Sequence, residues 1–218
     1  MIRDFTIAEF WVIAAGLRAT LLLSAIAFVG GGLGGLGVAL ARTAPIRWLR
    51  VAAGVFIDLF QGTPMLLQLF LVFYGLPVFG IKVNIWIAAA LGLTLHASAF
   101  LGEIWRGGIQ AVPRGQMEAA EVLGLGYVTR MRHVILPQAL RMSFAPTVGF
   151  LVQLIKGTSL AAIVGFVELT RAGSIVSNQT FKPLIVFAIV GALYFVLCWP
   201  LSLFGARLEN RLAAATAR

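Results

Sequence analysis

Long runs of apolar residues, at about 17–41, 51–76, 85–105, 143–167 and 184–204, alternate along the chain with shorter stretches that collect arginine, glycine and proline. Each run nears or exceeds the roughly 20 residues that a helix needs to cross a hydrocarbon core. Membrane β-strands alternate over about ten residues, whereas these runs are longer and continuously apolar. In lipid, backbone polar groups must be satisfied internally, so the runs are helices. The pattern predicts an all-α fold, a polytopic membrane helix bundle of about five transmembrane helices, with residues 1–218 forming one domain. Lys156-Gly157 interrupts the fourth run and predicts a broken helix. The one long polar interruption, about 106–140, stands apart as a loop on one face of the membrane.

Composition narrows the class. Hydrophobic residues make up 60% of the 218 and charged ones 11%, against roughly 25% charged in an ordinary soluble domain. Residues 1–11 carry Asp4 and Glu9, and the apolar stretch beyond is too long for a signal-peptide core, so no cleavage is expected. Arg42, Arg47, Arg50, Arg106, Arg114, Arg130, Arg132, Arg141, Arg207, Arg211 and Arg218 fall on one side of the predicted spans. Only Arg3, Lys82, Arg171 and Lys182 fall on the other, and Arg18 and Lys156 lie within spans. Short cytoplasmic loops collect Lys and Arg, which predicts an outside N-terminus and an inside C-terminus. The formal charge of +9 then reflects topology beside anionic lipid, and no nucleic-acid partner is expected.

Two motifs lose their usual meaning in this setting. Residues 32–37 match G-x-G-x-x-G, with Asp58 downstream, but no strand precedes them and they sit inside a predicted span. Gly30 with Gly34, and Gly31 with Gly35, are small-x-x-x-small pairs that bring membrane helices close together. No G-x-x-x-x-G-K-[ST] phosphate loop occurs, so the chain is not expected to hydrolyse ATP by itself. His96 and His133 fall on opposite sides of a span, and no nucleophile has a base nearby, so neither catalytic nor metal-ligating residues are expected. The single cysteine, Cys198, reads as a small buried hydrophobe. The Asn178-Gln179-Thr180 match to the glycosylation pattern is assigned no function.

Within 106–140, Gly115 predicts the start of a short helix near Gln116, with Glu118 in its first turn and Ala119-Ala120 as a smooth face. Gly124 and Gly126 end it, and a second short helix over about 129–135 carries Arg130 and Arg132 and stops at Pro137. A projecting helix of this kind fits a groove on a partner protein, and it equally fits a solvated connector lying on lipid.

The residues then carry a resemblance. Glu118-Ala119-Ala120, Gly124, Val134 and Leu136-Pro137 fall at the spacing E-A-A-x3-G-x9-I-x-L-P, with Val134 the one departure. This resembles the EAA signature of importer-type ABC-transporter permeases. Residues 62–68 (GTPMLLQ), 102–109 (GEIWRGGI), 137–141 (PQALR) and 156–160 (KGTSL) extend the likeness to the polar amino-acid uptake permeases over nearly the whole chain. The resemblance implies a bacterial-type cytoplasmic (inner) membrane location and a complex with a second permease chain, two ABC ATPase subunits and an extracytoplasmic solute-binding protein. It implies no cofactor in this chain, with ATP and Mg bound by the partner ATPase. It also implies alternating access driven through a coupling helix at 116–126, with Glu118, Ala119, Ala120, Gly124, Leu136 and Pro137 as the ATPase-coupling residues. Relative to the pattern, Gln61 stands where arginine is common, Asp58 where glutamate is, and His96 where asparagine is.

Polar groups inside spans are costly in lipid and mark candidate translocation paths. They are Asp58, Gln61, Thr63, Gln68, His96, Ser98, Glu103, Gln153, Lys156, Thr158 and Ser159. For Asp58 and Glu103 an ion pair that fixes packing is an equal alternative, and for Gln68 and Gln153 an interhelical hydrogen bond is. A helix restarting after Thr158 or Ser159 would turn its positive end toward a substrate carboxylate, with Lys156 adding charge. Pro77 and Phe79, the loop to Asn84, and residues 171–181 are expected to meet the binding protein. The substrate is expected to be a polar amino acid or a close relative. A secondary carrier or a channel-type bundle is the rival class, although the internal repeats usual in carriers are missing.

Overall fold

The computed structural model describes residues 6–216, and side chains as far as residue 210. Arg3 and Arg218, two of the residues in the charge asymmetry, lie outside the described part. Eight helical elements follow in order: α1 (Ile7–Thr43), α2 (Arg47–Gln61), α3 (Met65–Val78), α4 (Ile85–Ala111), α5 (Arg114–Val122), α6 (Tyr127–Ala162), α7 (Leu169–Thr180) and α8 (Pro183–Thr216). Among the described residues, α1, α4, α6 and α8 up to Asn210 are long and apolar enough to cross a membrane, and the bent pair α2–α3 supplies a fifth such unit.

The apolar runs foretell the long helices but not α7, which occupies most of the 171–181 stretch and buries Ala172, Val176 and Thr180, and the ends move. The first helix begins at Ile7 rather than near 17, because Thr6 and Glu9 form a capping box. The Glu9 carboxylate accepts from the Thr6 backbone N at 2.8 Å and also from the Thr6 hydroxyl. Two orphan donors are satisfied, so a helix can start among residues that read as a polar leader. At the other end, α4 and α8 run past the expected 105 and 204.

The second expected segment, 51–76, is not one helix. Its two pieces meet at 105° across Gly62-Thr63-Pro64. Pro64 lacks an N–H and disfavours helical backbone in Thr63, so α2 stops at Gly62, whose N–H reaches Asp58 O at 2.8 Å, and α3 restarts in a new direction.

Proline has the opposite outcome in the fourth expected span. The short helix expected over about 129–135 and stopped by Pro137 is instead the opening of α6, which continues through Pro137 and Pro146. Residues Met131–Ile135 widen into a π-turn, and Leu136 N–H bonds five residues back to Met131 O. The wide turn directly before Pro137 accommodates a residue that cannot donate. At the far end no new helix starts after Thr158 or Ser159. The α-helix ends at Gly157 and tightens into a 3-10 turn over Thr158–Ala162. The chain then reverses at Gly165, which has φ +91, and helix resumes only at α7.

The glycine-rich stretch lies in unbroken helix, with no strand before it, and serves helix packing. A side chain at Gly31 would collide with Ala97, at Gly34 with Ser98, and at Gly35 with Leu101 Cβ at 2.9 Å. From the facing helix, Gly102 meets Val38 in the same way. This seam joins α1 to α4. The main core gathers Leu23, Leu69, Leu93, Leu101, Leu154 and Phe166 from α1, α3, α4, α6 and the turn after it. A second cluster, Ile13, Leu169, Val176, Val186 and Val190, binds α7 between α1 and α8. Cys198 is buried against Val152 and Ile155, as a small hydrophobe would be.

Candidate functional site

The polar hairpin is built by α5 and the first turns of α6. Pro113 sets the entry, and α5 starts at Arg114, so Glu118 lies in its second turn rather than its first. Gly124 has φ +74, a conformation that glycine adopts without steric cost. Its N–H bonds Glu121 O at 2.9 Å while Leu125 N–H bonds Ala120 O at 3.1 Å, the paired reverse bonds of a Schellman stop. The tip is braced by an ion pair from Arg130 Nη1 to Glu121 at 2.9 Å. Beneath it, Val112, Met131, Ile135 and Ala139 form a small core with Met117 and Leu136 packed against it.

This packing sorts the motif residues. Ala120 is buried, so it is not part of an outward smooth face. Ala119, Glu118 and Pro137 are exposed, and Leu136 is half-buried. Glu118 makes no ion pair among the described residues. The motif spacing does not point to the outward apolar residues at the tip: Val122 is 88% exposed, Leu123 77% and Val128 76%. A run of exposed valine and leucine beside a glycine turn is the signal that could have found them.

Within the bundle, the elbow at 62–64 is tied to α4 by one side chain. Gln68 is buried, and its Nε2 donates to Phe60 O at 2.7 Å and to both the carbonyl and hydroxyl oxygens of Thr63 at 3.0 Å. Because carbonyls can only accept, this fixes the amide orientation, and Gln68 Oε1 must face His96 Nδ1, 2.9 Å away. Nδ1 therefore carries a proton and donates to Gln68 Oε1. The ring stacks on Phe100 at 4.4 Å, and Phe100 stacks on Phe150 at 5.5 Å. Gly157, at the end of the α-helical part of α6, closes directly on Met65 at the start of α3, where an added Cβ would lie 2.9 Å from Met65 Cε. The two irregular segments thus meet beside Thr63, Gln68 and His96.

The remaining path candidates are not drawn into this cluster. Ser98 donates back to Thr94 O at 2.8 Å and packs under Gly34. Glu103 is held by Arg106 Nε at 2.6 Å, the ion-pair alternative. Thr158 and Ser159 donate to Ile155 O and Lys156 O, each at 2.7 Å, and so occupy themselves with local carbonyls. Asp58, Gln61, Gln153 and Lys156 are exposed on the single chain and have no side-chain hydrogen bond or ion pair among the described residues.

One acid outside the expected set lies at a junction. Glu168 is 0% exposed and caps α7, accepting from Thr170 N and Arg171 N at 2.8 Å each. Tyr194 of α8 donates to the same carboxylate at 2.9 Å, and Leu169 N donates to Thr20 of α1 at 3.1 Å. Burial pushes the Glu168 carboxyl above the usual carboxylate range, opposed in part by these hydrogen bonds. The helix start that the sequence placed after Thr158 is therefore found here, and its donors are already filled by the chain's own carboxylate.

Comparisons with known proteins agree with this architecture. Residues 31–214 match the family described as "Binding-protein-dependent transport system inner membrane component". The chain is 34% identical to the probable amino-acid ABC transporter permease protein YckA of Bacillus subtilis, over 95% of this chain and 92% of that protein. It is 36% identical to the probable glutamine ABC transporter permease protein GlnM of the same organism, over 90% and 91%. A solved crystal structure of an amino acid ABC transporter with histidines superposes with a TM-score of 0.88 at 33% identity, covering 97% of this chain and 100% of the other. The methionine transporter MetNI, captured facing inward, shares the fold with a TM-score of 0.80 at 21% identity. The chain belongs to the inner-membrane components of binding-protein-dependent transport systems, among the permeases of amino-acid ABC transporters.

Proposed function

We propose that this chain is the membrane-spanning permease of an ATP-driven importer that takes a polar amino acid from an extracytoplasmic binding protein. The observation that carries this reading is the hairpin of α5 and α6: a braced tip with exposed Val122, Leu123 and Val128 and a Glu118 that has no ion pair among the described residues, continuous with a helix that enters the bundle. An acid flanked by exposed apolar residues fits a groove with a basic wall on a partner protein, and the resemblance supports a cytoplasmic ABC ATPase as that partner. Ala119 allows close approach, Gly124 makes the turn, and Leu136 and Pro137 link the tip to the rod. A second permease chain and two ATPase subunits complete the machine, with ATP and Mg held by the ATPases, the N-terminus outside and the C-terminus inside.

ATP closure of the ATPases draws the hairpins of the two permeases together and turns the pathway toward the loaded binding protein, and hydrolysis resets it. Along that pathway, Thr63, Gln68 and His96 are the favoured contacts. The Gln68 bond and the aromatic stack hold the His96 ring in place, and its Nε2 is the group proposed to meet a substrate. Asp58, Gln61, Ser98, Glu103, Gln153, Lys156, Thr158 and Ser159 line or shape the route at its margins.

The test is reconstitution in proteoliposomes with the ATPase and the binding protein. Uptake of an amino acid that requires ATP and both partners is expected. Uptake driven by an ion gradient alone would instead make the chain a secondary carrier.

A further inference from the structure

Two cavities follow one another along α1. The first is a groove of about 390 Å³ lined by apolar side chains that include Phe28, Leu33, Leu36, Trp105 and Leu140, with Ile109 at one end. The second is a polar cavity of about 680 Å³ that also touches Ile109 and is lined by Arg42, Arg50, Arg114, Thr43, Gln110 and Tyr127. Ala39 lines the groove, and Arg42 and Thr43 line the polar cavity one turn further along the helix, so the two form a single channel-like depression with a greasy end and a basic end.

The charge at the basic end is unbalanced. Arg106 pairs with Glu103 and Arg130 with Glu121, so two nearby carboxylates are already engaged. Arg42, Arg50 and Arg114 make no ion pair among the described residues, and no acid lines either cavity. The Arg42 guanidinium lies over Gly54 of α2, close enough that an added Cβ there would sit 3.4 Å from Arg42 Cζ, which aims the cation into the space between α1 and α2. Several unpaired guanidinium groups around one space bind a phosphate through charge-assisted, bidentate bonds. A continuous apolar groove leading away from such a space has the outline of a lipid, with headgroup and acyl chain in register.

We propose that this depression is a binding site for one anionic glycerophospholipid, its phosphate among Arg42, Arg50 and Arg114 and an acyl chain along the groove beside Phe28, Leu36 and Trp105. A soluble phosphate would use only the basic end, and a partner protein would leave the groove's continuity with that end unexplained. The inner leaflet as the lipid's source rests on the orientation proposed above. The lipid would join α1, α2 and the base of the coupling hairpin, since Arg114 opens α5.

The test is native mass spectrometry of the transporter purified with its ATPase, titrated with dioleoylphosphatidylglycerol, dioleoylphosphatidylcholine or glycerol 3-phosphate. Phosphatidylglycerol is expected to be retained over phosphatidylcholine. R42Q and R50Q are expected to weaken it by about fivefold each. Leu36→Trp, which fills the groove, is expected to lower phosphatidylglycerol binding while leaving glycerol 3-phosphate binding unchanged. Equal retention of the two lipids overturns the proposal, as does full retention by the R42Q/R50Q double variant. Displacement of the lipid by glycerol 3-phosphate as readily as by phosphatidylglycerol itself would reduce the site to a soluble-phosphate pocket. Loss of the permease pair in Leu36→Trp would assign the groove to a second chain. A transporter that fails ATP-dependent import yet retains phosphatidylglycerol leaves this inference standing, whereas one that imports without a lipid preference overturns it alone.

Discussion

At Gly124, φ +74 makes any side chain costly, by roughly 1–2 kcal/mol for an L-residue in left-handed backbone. Nothing crowds the position, so the penalty is conformational and falls on the tip rather than on the bundle. Gly124→Asp is expected to abolish transport and the stimulation of ATPase activity while membrane content stays normal, as checked by uptake assay and immunoblot of membranes. Glu168 behaves differently because it is buried. Its carboxyl is held above the ordinary range, so the folded protein binds that proton more tightly than the unfolded chain does. The resulting stability is complete below the unfolded carboxylate pKa and is lost as pH rises through the raised folded value. Glu168→Gln is expected to flatten this part of the pH profile of thermal unfolding. Glu168→Ala removes the α7 cap and is expected to cost about 1–2 kcal/mol. At this scale the EAA residues and the glycine turn were legible because their signal is local. The burial of Ala120 was not, since the motif spacing carries no sign of which face of α5 turns inward. Glu168 escaped as well, because a lone acid after an apolar run reads as loop.

At the scale of elements, α1 and α4 meet along glycines whose missing side chains are filled by the partner helix. Gly31→Leu would drive a side chain into Ala97, and overpacking of this kind costs about 1–3 kcal/mol or more. The variant is expected to show a lowered unfolding temperature and poor yield from detergent, whereas Gly37→Leu, with open space around the position, is expected to be tolerated. The seam was readable from small-residue spacing, and the existence of the long helices from apolar runs. Proline was the poor guide. Pro64 breaks a run that looked continuous, and Pro137 is passed by a helix that looked finished. The difference lies in the neighbours: Gly62 and Thr63 let the chain turn sharply, while the π-turn at Met131–Ile135 takes up the missing donor.

At the scale of the whole molecule, orientation is the open quantity that one labelling series addresses. The chain has a single cysteine, Cys198, and it is buried. Leu123→Cys at the hairpin tip is expected to react with a membrane-impermeant maleimide in inside-out vesicles and to stay silent in intact cells. Phe79→Cys is expected to do the reverse. Labelling of the tip from outside intact cells would overturn both the topology and the coupling role. The expectation of this topology rests on the asymmetry of basic residues, which averages over many positions and tolerates errors in any one helix boundary.

The unbroken run from Tyr127 to Ala162 has a mechanical consequence. It spans 36 residues, about 54 Å at 1.5 Å per residue, and joins the hairpin tip to the turn beside Gly157. If the hairpin couples to an ATPase as proposed, a displacement at Val128 would be carried along this helix to Gly157, which packs against Met65 beside the elbow that Gln68 ties to α4. On that reading the tip and the elbow contact are opposite ends of one stick, and no relay of side chains between them would be needed.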